Sequence, residues 1–307
     1  ARRPGNEIPG RIPCGMDVKN KPHTCADLGG AVQFLPTREV AFAAPQPGRS
    51  SAAGSMGIVA HEWGHGVTRF TSGLVYAGES GALNESFSDM LGVAVGFYKG
   101  ATNFWRIGEG VILRVADVSN PEMSNPPQPD TYRRGADWFT INGCTPPSND
   151  YCGVHTNSGV PNKMFYLFAN PGSNYHNGIT VNGIGIHNAM KVMLRAQEAR
   201  YWTENTNFLQ ARYGSEIAAF DLDPSGDWAE RVRNAWDAVR VCLKGDANSD
   251  EFIDQADVIK QNFCIFNGID CNLCSCDVDC NDLLYPSDFV LTLSMVYKGG
   301  SDNCPLP

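Results

Sequence analysis

Apolar residues recur at helical spacing through most of the chain between residues 56 and 243. The clearest case is the last of these segments, where Ser225 is positioned to cap a helix and four apolar residues follow at intervals of three or four. These four are Trp228, Val232, Trp236 and Val239. Earlier helices are predicted over residues 58–70, 84–98, 158–169, 184–202 and 205–220, with a glycine-containing turn at 78–81. The pattern predicts a mainly α-helical domain.

The segments on either side of this helical region follow other patterns. Residues 1–55 are irregular, with short strand-like runs at 31–35 and 40–42. After residue 244 the composition shifts to aspartate, asparagine and cysteine. We therefore divide the chain into 1–55, 56–243 and 244–307.

Composition and charge narrow the classes of function. The chain is 42% hydrophobic and 19% charged, which is typical of a globular protein. Its net charge of −9 argues against nucleic acid or an anionic membrane as a main partner. No apolar stretch approaches the ~18 residues of a membrane-spanning helix.

The chain has 11 cysteines, mostly in close groups, which favours an oxidising location. We therefore expect a secreted, extracellular protein. The number is odd, so at least one thiol is free or pairs outside this chain. A metal knuckle is an alternative for one group, although its spacing favours disulfides. This group is Cys271, Cys274, Cys276 and Cys280. The chain begins at Ala1 without a methionine, and we interpret it as a processed or truncated piece.

Residues 61–65 read His-Glu-Trp-Gly-His within a predicted helix. Because residues four apart share a helix face, His61 and His65 can bind one zinc ion while Glu62 lies beside them as a base. Taken alone, the motif also fits an ordinary helix with two histidines. Glu85 on the next predicted helix is the candidate third ligand, and Asp89 is placed to accept the free N–H of a zinc-bound imidazole. Two histidines and one glutamate leave a position for water, which is typical of catalytic zinc.

The residues around these candidates closely resemble the thermolysin-like neutral metallopeptidases. The resemblance is carried by segments 59–68, 73–76, 79–89, 150–159 and 182–185, and extends to the last predicted helix. A metzincin would instead have glycine and histidine at the positions of Thr68 and Thr71.

The resemblance implies a zinc endopeptidase with one catalytic zinc ion, bound by His61, His65 and Glu85. It implies that Glu62 deprotonates the attacking water and that Tyr76 and His155 stabilise the oxyanion. It further implies that Asp150 orients His155, that Asp89 supports a zinc ligand, and that cleavage precedes a bulky apolar residue whose pocket includes Ile58.

This chain departs from the family pattern at its expected calcium site. Four positions where the family has acidic residues are not acidic here, and only Glu109 remains of that set. The four are Gly57, Gly96, Phe104 and Arg106. Since a hard dication needs several oxygen ligands, we expect the calcium pair beside the active site to be absent. Arg106 could pair with Glu109 in place of the cation, or could be an ordinary surface arginine.

Two further departures concern substrate binding. The arginine that the family places on the substrate carbonyl corresponds to Ala116, and the nearest arginine is Arg114. The 60 residues before His61 are fewer than the family's N-terminal β-rich lobe needs. We therefore expect residues 1–55 to be a remnant of that lobe, which is missing or reduced.

The tail contains two acidic loops that resemble those of a dockerin module. Each has oxygen-bearing residues at positions typical of calcium loops, followed by apolar residues. The first loop contains Asp246, Asn248, Asp250, Asp254 and Asp257. The second contains Asp277, Asp279, Asn281 and Asp288, and Tyr285 replaces its ninth-position ligand. The resemblance implies calcium binding, stronger in the first loop, and a cohesin-like protein partner.

The predicted fold is thus a mainly helical catalytic domain with zinc between two helices, followed by a small helical dockerin-like domain. Two alternatives to an active peptidase remain open. The first is a zinc-binding pseudoenzyme or scaffold-targeting module, which the short N-terminal segment and Ala116 favour. The second is a non-proteolytic zinc hydrolase, against which Tyr76 and His155 argue.

Overall fold

Two long helices packed against each other form the centre of the computed structural model: α1 (Met56–Phe70) and α2 (Gly78–Tyr98). The structure describes residues 52–108, 115–133, 137–141, 143–174, 178–248, 252–267, 273–278 and 284–299, and the backbone of four strands between residues 13 and 42. Ser55 begins α1 by accepting a hydrogen bond from the Ile58 N–H.

Five further helices pack around these two: α3 (Ser148–Asn157), α4 (Gly159–Ala169), α5 (Ile186–Glu198), α6 (Phe208–Leu222) and α7 (Asp227–Ala238). Large apolar side chains from these helices and their connections fill the core without exposure to solvent. They include Phe87, Phe165, Phe168, Trp202 and Trp236. The prediction of a mainly helical domain is confirmed.

The described strands form antiparallel pairs. β1 (Pro13–Met16) pairs with β2 (Pro22–Thr24), and β3 (Ala31–Phe34) pairs with β4 (Glu39–Phe42). The strand-like runs predicted at 31–35 and 40–42 correspond to β3 and β4, whereas β1 and β2 were not predicted. Two shorter pairs lie within the helical domain: β5 (Arg106–Ile107) with β6 (Ala116–Asp117), and β7 (Gly172–Ser173) with β8 (Thr180–Val181). β3 also contacts α1.

Glycines let α1 and α2 approach each other closely. A Cβ atom on Gly64 would lie 2.6 Å from the Ser88 Cα, and one on Gly92 would lie 2.7 Å from the Gly57 carbonyl oxygen. Larger residues would separate the helices, because such contacts lie well inside van der Waals distance. Close packing brings the histidines of α1 to the face of α2 that carries Glu85.

Two predicted boundaries are wrong. Residues 78–81 form the first turn of α2, since Gly81 is a site of close packing where a Cβ atom would lie 2.4 Å from Val154. Helix α7 has Gly226 at its N-cap and ends at Ala238. The Ser225 hydroxyl accepts the Asp227 N–H at 3.3 Å, and Asp223 Oδ2 accepts the Trp228 N–H at 3.1 Å, so Ser225 contributes to the cap although it lies one residue before the N-cap.

The tail is helical and is attached to the segment after α7 by a disulfide and an ion pair. It contains α8 (Gln255–Asn267), α9 (Leu273–Cys276) and α10 (Pro286–Lys298), and α8 packs against α10. A Cys242–Cys274 disulfide crosses the predicted boundary at 243/244. Arg240 and Asp277 form a buried ion pair across it, with a 2.9 Å N–O separation. The dockerin-like character of the tail stays a prediction.

Within the described part of the chain, every helix is too short or too polar to cross a membrane.

Candidate metal and catalytic centre

The structure brings His61, His65 and Glu85 together between α1 and α2, as the sequence predicted. His61 Nε2 lies 3.5 Å from Glu85 Oε2, and His65 Nε2 lies 3.6 Å from Glu85 Oε1. One ligand atom from each residue lies within 4.8 Å of the others. This donor set fits zinc, which binds histidine nitrogen and carboxylate oxygen at about 2.0–2.2 Å.

Hydrogen bonds to the far side of each imidazole ring fix which nitrogen faces Glu85. His61 Nδ1 lies 2.8 Å from Asp89 Oδ1, as the helix spacing predicted. His65 Nδ1 lies 2.8 Å from Asn84 Oδ1. When Nδ1 of a neutral ring donates to its oxygen, Nε2 carries the lone pair and faces the shared space. The sequence analysis missed Asn84, although its place on α2 beside Glu85 and one turn before Ser88 was a usable signal.

Glu62 lies next to His61 on α1 and is 7% exposed. Burial raises the pKa of its carboxyl to about 7, with a smaller opposing effect from His61. A carboxylate with a pKa near neutrality can both accept and return a proton at neutral pH. Its position therefore suits a general base.

Tyr76 and His155 approach the same space from the opposite side. The Tyr76 hydroxyl donates to Glu85 Oε1 and lies 3.2 Å from His155 Nε2. His155 Nε2 also lies 3.3 Å from Glu85 Oε1. The described structure thus places two hydrogen-bonding groups within reach of the candidate metal ligands.

Asp150 contacts His155 through both carboxylate oxygens. Oδ1 lies 2.5 Å from His155 Nδ1, and Oδ2 accepts the His155 backbone N–H at 2.9 Å. On the other side, Gln128 Nε2 donates to the His155 carbonyl oxygen at 2.5 Å. Gln128 is 1% exposed, and sequence reasoning missed it because no nearby motif includes it.

The backbone that carries Asp150 has an unusual conformation. Five consecutive residues, 149–153, have φ between 49° and 77°, the left-handed region. Four of them are not glycine, and each such residue costs roughly 1–2 kcal/mol relative to a right-handed turn. A disulfide between Cys144 and Cys152 spans this segment. The Tyr151 ring lies 5.4 Å, centroid to centroid, from the Tyr76 ring.

The remaining predicted residues of this domain lie around the centre. Ile58 is 3% exposed and packs into the core, and Ala116 is buried in β6. At the expected calcium site, Arg106 Nε lies 3.5 Å from Asp117 Oδ2, a partner that the sequence analysis did not consider. Glu109 and Arg114 lie outside the described residues.

In the tail, the last acidic residue of each predicted calcium loop is fully buried. Asp257 accepts the backbone N–H groups of Asn248 and Asp254, at 3.2 and 2.8 Å. Asp288 likewise accepts those of Val278 and Tyr285, at 2.9 and 2.8 Å. The two carboxylates thus occupy equivalent places at the starts of α8 and α10.

The other predicted ligands of the tail differ in their surroundings. Asp246 is buried, Asp254 is exposed, and Asp277 has one oxygen engaged by Arg240. A guanidinium at that distance competes with a cation for the carboxylate. Asp250, Asp279 and Asn281 lie outside the described residues.

The described cysteines favour disulfides over a metal knuckle. Cys274 is bonded to Cys242, which removes it from any such knuckle and also rules out a metal site with nearby Asp237. Cys276 is a buried free thiol, in agreement with the odd cysteine count, and burial raises its pKa to about 12. Cys271 and Cys280 lie outside the described residues.

Comparisons with known proteins agree with this geometry. Residues 72–241 match the family described as thermolysin metallopeptidase, alpha-helical domain. The chain is 40% identical over 178 residues to a bacillolysin of Bacillus cereus, covering 56% of this chain and 29% of that protein. It is 38% identical over 194 residues to a thermolysin of Alicyclobacillus acidocaldarius subsp. acidocaldarius, covering 62% of this chain and 33% of that protein.

The chain thus spans about a third of the length of these relatives. Among solved structures, the precursor of protealysin, a metalloproteinase from Serratia proteamaculans, matches with a TM-score of 0.53 and 24% identity. That match covers 68% of this chain and 65% of the other, and it supports the fold. Because the family match extends over more than half of its residues, this chain belongs to the thermolysin family of metallopeptidases, whose alpha-helical domain it contains.

Proposed function

We propose that this chain is a secreted zinc endopeptidase. The observation that carries the proposal is the convergence of His61, His65 and Glu85 beside a buried Glu62. Membership of a metallopeptidase family supports it. The disulfides Cys144–Cys152 and Cys242–Cys274 support an oxidising, extracellular location.

In this proposal His61, His65 and Glu85 hold the zinc ion, with Asp89 orienting His61. A zinc ion bound there would polarise the scissile carbonyl and lower the pKa of an attacking water. Glu62 accepts the proton of that water and later returns it to the leaving amine.

Tyr76 and His155 donate hydrogen bonds to the carbonyl oxygen as it gains negative charge. These donors act most strongly in the transition state, where that charge is largest. Asp150 accepts from His155 Nδ1 and so directs Nε2 toward the substrate. For cleavage before bulky apolar residues we assign Ile58 to the wall of the pocket.

The metal assignment is tested by measuring zinc content and peptidase activity together. The full chain should contain about one zinc per molecule, and His61→Ala or Glu85→Ala should lose it, since two remaining ligands bind zinc weakly. His187→Ala, an exposed histidine on α5, is the matched control and should keep both properties. Unchanged zinc in the ligand variants would contradict the site.

The same experiment separates the alternatives. Zinc binding without cleavage of any peptide would favour a pseudoenzyme. Hydrolysis of non-peptide substrates alone would favour another zinc hydrolase. With a mixed peptide library, mass spectrometry of the products should show bulky apolar residues at their new N-termini, and Ile58→Ala should relax that preference.

We further propose that the tail binds calcium and, through it, a cohesin-like partner, whereas the catalytic domain lacks the family's active-site calcium pair. The matching burial of Asp257 and Asp288 supports two related loops. The first loop is the stronger site, because Arg240 engages Asp277 in the second.

Calcium should raise the melting temperature of the full chain, by a stabilisation of about 2.7 kcal/mol at a hundredfold excess over Kd. Asp257→Ala should remove most of this rise, whereas Asp227→Ala, at an exposed position of α7, should not. Calorimetric titration with a cohesin domain, with and without calcium, tests the partner.

A further inference from the structure

The left-handed segment at residues 149–153 links a disulfide to the residues around the proposed catalytic centre. On a regular helix, residues five apart point roughly 140° away from each other. The left-handed turn instead brings the Asp150 carboxylate back to both His155 Nδ1 and the His155 backbone N–H. The contact between these two residues therefore depends on this backbone conformation.

The amino acids in this segment favour that conformation unequally. Gly153 adopts a positive φ freely, and it must be glycine because a Cβ atom would lie 2.7 Å from the Phe139 ring. Asn149 and Asp150 tolerate the left-handed region better than most residues. Tyr151 and Cys152, with φ of 52° and 68°, do not. Something outside the segment must hold these two residues in place.

Two contacts fasten the segment. The disulfide joins Cys152 to Cys144, with 5.7 Å between their Cα atoms, and Cys152 is 3% exposed. On the C-terminal side, Asn157 bonds both backbone polar groups of Phe139 at 2.9 Å. Asn157 fixes the end of α3, and the disulfide fixes the turn itself.

We propose that Cys144 and Cys152 are positioning residues for catalysis: their disulfide holds the left-handed turn that aims Asp150 at His155 and Tyr151 at Tyr76. This inference rests on the proposed peptidase function. A disulfide that only stabilised the fold would leave turnover by the folded enzyme unchanged. A positioning disulfide lowers kcat while KM and zinc content stay close to wild type, because His155 acts mainly in the transition state.

The test uses paired substitutions in the full-length zinc-loaded protein, since thiol reductants also bind zinc. Cys144→Ser with Cys152→Ser should lower kcat roughly 10-fold to 100-fold, by analogy with the loss of partners that orient metal-binding histidines. Cys144→Ser with Cys152→Gly also lacks the disulfide, but it places at position 152 a residue that adopts a φ of 68° without strain. It should recover most of the lost kcat.

The remote Cys242–Cys274 disulfide provides the matched control, and its double serine variant should keep wild-type kcat at a temperature where it is folded. A second readout does not require turnover: the low-field proton resonance of His155 Nδ1–H should weaken in the serine pair and return in the glycine pair.

The outcomes separate this inference from the proposed function. Wild-type kcat in the serine pair, or no recovery in the glycine pair, would overturn the positioning role. An inactive wild-type protein would reject the peptidase proposal. The proton resonance alone would then test whether the Cys144–Cys152 disulfide positions Asp150 against His155.

Discussion

Glu62 lies beside the candidate metal ligands and, unlike Glu85, is not one of them. Glu62→Gln keeps the shape and removes the ability to take a proton. We expect the variant to keep its zinc and to lose roughly 10²-fold to 10⁴-fold in kcat. Peptide cleavage and metal analysis of the same preparation check this, with Glu198→Gln, at an exposed position of α5, as the control. Near-normal turnover would exclude Glu62 as the base.

Asp89 and Asn84 support the two histidines in the same way but differ in charge. Asp89→Ala should weaken zinc binding roughly 10-fold to 100-fold, because His61 loses the acceptor that orients its ring. Asp89→Asn keeps an acceptor oxygen, as Asn84 does for His65, and should lose less. Competition with a zinc-binding dye measures both. Equal losses would mean that charge, and not orientation, is the main contribution of Asp89.

At this scale the metal-ligand motif and its flanks were readable from the sequence, and the structure brings those side chains together. Asn84 and Gln128 were not identified as supporting residues. Asn84 acts through a helix face shared with Ser88, and Gln128 reaches His155 from a loop that is distant in sequence. The contact between Gln128 and His155 depends on tertiary packing, which no local sequence pattern predicts.

At the scale of elements, the packing of α1 on α2 determines whether the ligands meet. Gly64→Ala should destabilise the protein by about 1–3 kcal/mol, since its Cβ would overlap Ser88 and force the helices apart. Zinc affinity should fall with it, because His65 and Glu85 lie on these two helices. Gly54→Ala is the control, as its Cβ would meet nothing within 4 Å. Urea unfolding and zinc titration of both variants test the prediction.

Helix periodicity predicted most of the helices but not the left-handed turn. Asn149, Asp150 and Gly153 are compatible with a positive φ, but the conformation of Tyr151 and Cys152 depends on a covalent bond to Cys144. The prediction of a turn at 78–81 is wrong for a related reason. Gly81 serves close packing against Val154, and sequence pattern does not distinguish that use of glycine from a turn.

For the whole molecule, the buried pair Arg240–Asp277 joins the tail to the catalytic domain. Arg240→Met should lower the free energy of unfolding by about 3–5 kcal/mol, because it leaves the Asp277 carboxylate buried without its guanidinium partner. Combining it with Asp277→Leu removes both charges and should restore part of the loss. Urea unfolding at neutral pH measures both. A double variant less stable than the single one would contradict this reasoning.

The change in composition after residue 244 led us to predict a domain boundary there, and a disulfide and an ion pair cross that boundary in the structure. Cysteine connectivity cannot be derived from one sequence, since many pairings satisfy the same spacing. An ion pair across a predicted boundary also cannot be predicted from the sequence, because it depends on how the two parts pack.

The Cys242–Cys274 bond also has a consequence for the lifetime of the protein. A chain with the proposed activity and location would be exposed to cleavage by its own copies. The residues between these two cysteines include the predicted junction of the two parts. A cut there would divide the polypeptide, yet the disulfide would keep the halves as one particle, visible as two bands only on a reducing gel. Nicked molecules would keep their tails. In an ageing preparation the polypeptide would therefore be cleaved while the molecular mass of the particle in solution stayed unchanged.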